Sequence, residues 1–213
     1  RDPRIRHVAS GGVATGCARA RNVALPLARG HFLTRLDADD EFAPERLARL
    51  LPLVEAHGAA TDMVAVVDDT TGVERRRTRL AAGEADADAA ALALLHAPLA
   101  PIVARDHAPA WFADTDIAED VLYLFAVEER FGRIAVAPEA LYRYRVRTGS
   151  MCHSADADAR AEASYAEIDR RLAAAGFADL SGEASARARP VFAEKRAFNR
   201  RFGAAFAAGR TPD

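Results

Sequence analysis

Phe32-Leu33-Thr34-Arg35-Leu36-Asp37-Ala38-Asp39-Asp40 decides the reading of this chain, because an apolar run gives way to clustered acids where a buried strand should emerge into a loop. Carboxylates gathered at a strand end suit a hard divalent cation such as Mg²⁺ or Mn²⁺. Such ions take oxygen ligands, usually from one or two carboxylates, and complete their shell with phosphate oxygens and water. Pro44-Glu45-Arg46-Leu47 follows closely and reads as a helix opening. Acids are also favoured near helix N-termini, so a solvated turn explains the same cluster. Spacing alone leaves both readings open.

Upstream, Ile5-Arg6-His7-Val8 alternates like a short strand and runs into Gly11-Gly12, after which Val13 to Ala28 reads as a helix closed by Gly30. Phe32 to Leu36 is the next strand, and Pro44 to His57 is a helix closed by Gly58. Met63 to Val67 is a third strand, stopped by Asp68-Asp69. This alternation predicts an α/β fold with a mainly parallel sheet and helices on both faces, in which ligands bind beyond the carboxyl ends of the strands. The acid cluster sits at such an end.

Further along, Arg75 to Arg79 is a basic loop or hairpin, and Ala85 to His96 a short alanine-rich helix. Pro101 to Ala104 is a strand, Ile117 to Phe131 a helix ended by Gly132, and Ile134 to Val136 another strand. Leu141 to Val146 alternates apolar and basic residues like a half-exposed strand, which points Arg145 and Arg147 to one side. Beyond Ser154 the pattern becomes helical. One helix carries Tyr165, Ile168, Leu172 and Ala175 on a face; the other starts near Pro190 and carries Phe198, Phe202 and Phe206 in four-residue steps. The division expected is 1–154 for an α/β domain and 155–213 for a C-terminal helical extension.

The 213 residues, 50% hydrophobic and 28% charged, are ordinary for a globular domain with an appendage. A net charge of −2 provides no whole-protein field for nucleic acid or an anionic membrane, so no nucleic-acid partner is expected. Among 29 lysines and arginines only Lys195 is lysine, which with the abundant alanine reads as a coding bias. Cys17 and Cys152 show neither metal spacing nor a disulfide framework, making a reducing cytoplasm the default. Neither a signal peptide nor an apolar run of about 18 residues is found, so the chain does not span a membrane by itself.

Gly12-Val13-Ala14-Thr15-Gly16-Cys17-Ala18-Arg19-Ala20-Arg21-Asn22, then Ala28-Arg29-Gly30, then Leu36-Asp37-Ala38-Asp39-Asp40 resembles the middle of a family 2 glycosyltransferase of the GT-A fold. Ala118-Glu119-Asp120 resembles the Glu-Asp pair that opens that family's acceptor-side helix. Tyr142 to Arg147 with Gly149-Ser150-Met151 resembles its Tyr-Arg segment. Together these cover roughly Ile5 to Ser154. The resemblance implies an inverting transfer of sugar from a nucleotide-diphosphate donor, most simply a UDP-sugar, to a saccharide or lipid-linked acceptor in surface or secreted polysaccharide synthesis. It implies that Asp39 touches the Mn²⁺ or Mg²⁺, with Asp37 toward ribose or sugar and as a further ligand, and Asp40 as a helper. Arg21 would face the nucleotide, Arg145 and Arg147 the diphosphate, and His153 the metal or diphosphate. Asp120 would be the base and Glu119 its support.

The bland alternatives are a surface charge for Arg21, a dipole complement for Glu119 and Asp120, and a plain loop histidine for His153. Trp111 either stacks on an acceptor sugar or fills the core. Asn22 holds a neighbouring loop. The phenylalanine face of the last helix, with Arg196, Arg200 and Arg201, either packs on its own domain or a second subunit, giving a homodimer, or rests on the inner face of a membrane. The resemblance also lacks the family's opening strand, helix and strand, so the expectation is a chain that enters its fold partway, with an incomplete base pocket and an uncovered sheet edge. A sugar nucleotidyltransferase would share the acidic metal site but would call for a glycine-rich phosphate loop bearing lysine, which the sequence lacks. A degenerate binding module without activity is the third reading.

Overall fold

The computed structural model describes residues 2–12, 15–147 and 156–207, without the side chains of 202–207. In chain order it has α1 (Cys17–Ala24), β1 (Phe32–Leu33), β2 (Glu41–Phe42), α2 (Arg46–His57), β3 (Ala59–Asp68), β4 (Glu74–Arg77), β5 (Asp86–Ala87), α3 (Ala89–Ala93), β6 (Ile102–Ala104), α4 (Glu119–Phe131), β7 (Ile134–Val146), α5 (Ala157–Ala173) and α6 (Gly182–Ala207). The strands form one sheet in the order β1-β6-β3-β7-β2, with β4 also pairing β3 and β5 also pairing β7.

The α/β layering, the flanking helices and the helical C-terminal segment are as the sequence predicts. The sheet, however, is mixed. Among the described strands only β3 and β7 pair in parallel; the other pairings are antiparallel. Short hairpin-like returns such as β4 on β3 need no crossover helix, so they run antiparallel.

Ile5 to Val8 forms no strand: it pairs with nothing in the described sheet, and Ile5 and Val8 are exposed. Alternation signals a strand only where a partner edge is available. The helix expected from Val13 begins at Cys17, after Gly16 at φ 85, and beyond Ala24 it tightens into a 3-10 turn containing Pro26. The expected strand from Phe32 shortens to Phe32–Leu33, which pairs Ala104 and Val103; beyond it Thr34 and Arg35 reach Ala100 O and Leu99 O through their side chains. The alanine-rich stretch from Ala85 splits into β5 and the short α3, whose N-terminus is capped by Asp88 accepting from Ala91 N at 2.7 Å. The last helix opens at Gly182 and carries Pro190 inside it.

Ile134 to Val136 and Leu141 to Val146, read as separate strands, are one strand with a bulge. Asp62 lies opposite Ala137 and Met63 opposite Ala140, so Pro138 and Glu139 are looped out. Pro138 has no N–H to give a ladder, and beyond the bulge Leu141 N bonds the Asp62 carboxylate at 3.1 Å. That carboxylate is in turn held by Arg46, fully buried, through Nε at 2.9 Å. Arg46 also donates to Ala100 O at 2.6 Å and lies 4.1 Å over the Phe42 ring. One guanidinium therefore ties α2, β3, the segment before β6 and the strand that follows the acid loop.

The first two residues of β3 feed opposite faces of the sheet. Ala60 joins Leu50 and Val54 of α2 in a small apolar cluster, while Ala59, Met63 and Val64 join the large one built with α3 and α4. Gly58 closes α2 at φ 79, and a Cβ there would come within 2.5 Å of the Phe131 ring, so only glycine fits. Ile168, Leu172, Val191 and Phe192 of the C-terminal helices belong to the large cluster, so the segment beyond Ser154 shares a core with the strands.

Candidate active site

Between β1 and β2 the chain Thr34 to Asp40 forms an acid loop, clamped at its far end by β7: Asp40 accepts from Tyr142 Oη at 2.6 Å and from Arg145 N at 2.9 Å. Burial, together with the hydrogen bond to Asp40, pushes the Tyr142 phenol well above its ordinary range, and burial likewise raises Asp40. Asp40 is thus committed to holding the loop.

The near end of the loop is joined to α4 by two arginines. Arg21 of α1 donates to Asp37 at 2.7 Å and to Glu119 at 2.8 Å. Arg35, almost wholly buried, bonds the other Asp37 oxygen and Leu99 O, and lies 3.8 Å from the Asp120 carboxylate. Burial would raise Asp37, but the two guanidiniums outweigh it and hold its carboxyl below the usual value of 3.8. Glu119 also accepts from the Cys17 thiol at 2.9 Å; burial first, and the Glu119 charge second, push that thiol up to about 11.

α4 begins abruptly. Ala118 adopts the left-handed conformation at φ 69, a strained setting for a residue with a Cβ, and so turns the two following acids into the site. Asp120 accepts from Val121 N at 2.9 Å and its side chain retains 26% exposure. Its second oxygen is left facing Arg35 and the open side of the site.

Trp111 backs this junction. It stacks on Tyr123 at 3.9 Å with an interplanar angle of 2°, and Arg21 lies 4.4 Å over the ring. A ring at stacking distance and a guanidinium cannot share one face, so both faces of Trp111 are occupied within the protein. It serves as a wedge under Arg21, not as a free platform for sugar. Asn22 holds it in place by bonding Trp111 N and O, each at 2.7 Å.

On the other side of the acid loop, Ala38, Asp39, Asp69, Arg145 and Arg147 line an open hollow of about 230 Å³. Arg145 bonds Asp69 at 2.5 Å and Glu41 at 3.1 Å, and Arg147 stands 3.8 Å from Asp39. The structure therefore brings Asp39, Arg145 and Arg147 together, and Arg21, Asp37, Glu119 and Asp120 together beside them. His153 lies outside the described residues. No group of three potential metal-ligating side chains occurs among the described residues.

Arg35, Cys17 and Asp69 carry much of this geometry and escaped the sequence reading. Arg35 looked like part of a strand, and only its position two residues before Asp37 hinted at pairing. Asp69 looked like a strand stop. Cys17 was weighed for metal and disulfide spacing, neither of which concerns its actual partner.

Residues 1–106, which span α1, the acid loop and β3 to β6, match the family model described as glycosyl transferase family 2. The chain belongs to glycosyltransferase family 2. This family 2 chain is 30% identical over 172 residues to the succinoglycan biosynthesis protein ExoO of Rhizobium meliloti, a match covering 70% of the chain and 47% of ExoO. It thus spans about half the length of that relative. Among solved structures it resembles Staphylococcus aureus TarS residues 1–349, with a TM-score of 0.56 at 20% identity, covering 94% of this chain and 56% of TarS. It also resembles the same TarS fragment in complex with UDP-GlcNAc, with a TM-score of 0.51 at 21% identity, covering 72% and 47%. At that identity the structural likeness shows the GT-A fold of this family 2 chain.

Proposed function

We propose that the protein transfers a sugar from a nucleotide-diphosphate donor to a saccharide or lipid-linked acceptor, with inversion, in exopolysaccharide or cell-surface polysaccharide synthesis. The observation that carries this reading is the paired-arginine junction, in which Arg21 and Arg35 join the acid loop to Glu119 and Asp120. It sets a donor-side acid cluster and an acceptor-side acid pair edge to edge. The relationship to ExoO supports the polysaccharide context, and the UDP-GlcNAc complex of the TarS fragment supports a UDP-sugar donor.

Inverting transfer requires the acceptor oxygen to lose its proton as it attacks the anomeric carbon from the face opposite the leaving diphosphate. Asp120, partly exposed and facing Arg35 at 3.8 Å, takes that proton; the new C–O bond forms as the bond to the diphosphate breaks, and the electron pair leaves with the nucleotide. Glu119, fixed by Arg21 and Cys17, sets the direction of the helix opening that carries Asp120. Arg145 and Arg147 face the leaving diphosphate with delocalised charge.

Both Asp37 oxygens are engaged by arginines, so the carboxylate available to a cation is Asp39, half exposed and lining the hollow with Asp69. That donor set fits Mn²⁺ or Mg²⁺ shared with a diphosphate, since these ions commonly take only one or two protein carboxylates. When bound, the cation would supply charge relief for the departing diphosphate. Titrating UDP and UDP-GlcNAc by calorimetry, with and without Mn²⁺, tests the reading: metal-dependent binding is expected, and no binding of either nucleotide would overturn it.

A further inference from the structure

Lys195 is the only lysine among 29 lysines and arginines, and it is buried, with 9% of its surface exposed. Among the described residues its ammonium has no hydrogen bond, and no carboxylate lies within 4.0 Å. A buried cation without a close partner costs free energy, so its presence calls for a reason.

The register of the helices indicates what it faces. α6 meets the C-terminal end of α4 first: Ser181 N bonds Glu129 at 3.1 Å and Arg187 bonds Glu128 at 2.9 Å. From Arg187 to Lys195, and from Glu128 back to Asp120, the two antiparallel helices advance the same number of residues, about 12 Å each. Lys195 is thereby set alongside the first turn of α4, where Asp120 lies. One turn on, Phe198 stacks on His96 at 4.0 Å, so the loop after α3 closes over the lysine from the other side.

We propose that Lys195 is a positioning residue for the transfer reaction, a cation that the C-terminal helix delivers alongside the first turn of α4 to orient Asp120 toward the acceptor. This rests on the reading of Asp120 as the base. The electrostatics agree with the placement. Burial lowers the ammonium's pKa and the Asp120 charge opposes that, while burial, then Lys195, press His96 down to about 4. The charged groups around Asp120 are thus Arg35, Lys195 and its neighbour Glu119; those around Lys195 are Asp120 and His96, with Arg76, Glu194 and Arg201 beyond His96. A lysine suits the place because its ammonium is a compact point charge, whereas a guanidinium demands a wider fork of acceptors.

The test is the steady-state kinetics of UDP-GlcNAc turnover in the full chain and in Lys195→Met. The variant keeps the length of the side chain, so melting temperature should hold. Its kcat should fall by about tenfold while KM for UDP-GlcNAc and UDP affinity stay unchanged, the split expected when an interaction made only in the transition state is lost. Lys195→Gln serves should the methionine variant misfold. An unchanged kcat in a folded variant would overturn the proposal. The outcome is separable from the assignment of the base: if Asp120→Asn retains transfer, the base is misassigned, whether or not kcat responds to Lys195.

Discussion

At the scale of single residues, the acids of the loop from Asp37 to Asp40 take three different jobs that their spacing does not reveal. Asp37 neutralises two arginines, Asp40 anchors the loop to Tyr142 and Arg145, and Asp39 alone stays open to the hollow. Asp39→Asn keeps the size and removes the charge. Calorimetry should show metal-dependent UDP binding weakened by at least about tenfold, roughly 1.4 kcal/mol, with metal-free binding little changed. Cys17 offers a second check. Its thiol, pushed up to about 11, holds almost no thiolate at neutral pH. Iodoacetamide should label it far more slowly than a free cysteine, and Glu119→Gln, which removes the adjacent negative charge, should speed the labelling. Equal rates in the two proteins would refute the Cys17–Glu119 contact as the cause.

At the scale of elements, the buried pair of Arg46 and Asp62 fixes the acid loop from behind. It joins α2 to the β3–β7 bulge, and Arg46 lies over Phe42, where the loop re-enters the sheet. Removing one partner leaves the other charge buried, which commonly costs about 3 to 5 kcal/mol. Arg46→Ala should therefore lower the melting temperature by on the order of 10 °C, a shift read by calorimetric scanning; a loss of a degree or two would show the pair to be dispensable.

The C-terminal helices have their own clamp, with Glu162 of α5 accepting from Arg196 and Arg200 of α6 at 2.6 Å each. Hydrogen bonds from Arg196, then Arg200, hold that carboxyl down to about 2, from the ordinary 4.5. A folded-state pKa below the unfolded one contributes stability above the unfolded pKa and loses it as pH falls through the folded value. Stability should fall between about pH 4.5 and 2, and less steeply in Glu162→Gln, when melting temperature is followed against pH. These arginines flank the phenylalanine face read from sequence as a packing or membrane surface. Within the described side chains, Phe198 packs on His96 and the arginines pair inside the chain. No described helix is long and apolar enough to cross a membrane.

At the scale of the whole molecule, what was legible in the sequence was local chemistry with a period or a punctuating residue. α2 was readable from its apolar spacing and Gly58, α4 from Glu119-Asp120 and Gly132, and β3 from its β-branched run. What was not legible depends on partners distant in sequence. Strand direction was misjudged because alternation of strand and helix carries no record of hairpin returns such as β4. Ile5 to Val8 has the pattern of a strand but pairs with no edge of the described sheet. Trp111 gave no sign of being wedged between Tyr123 and Arg21, since those three come from separate elements.

The site shows the same division. Asp37, Asp39, Glu119 and Asp120 were found as motifs, but their joining through Arg21 and Arg35 required the fold. The proposed function adds a separation of labour across that junction, with Asp39 assigned to the donor and Asp120 to the acceptor. The direct measurement compares Asp120→Asn with the unaltered protein for UDP affinity by calorimetry and for UDP released from UDP-GlcNAc in the presence of a polysaccharide acceptor. Unchanged UDP affinity with transfer reduced by on the order of 10² to 10⁴ is the predicted result; near-full transfer by Asp120→Asn would contradict it.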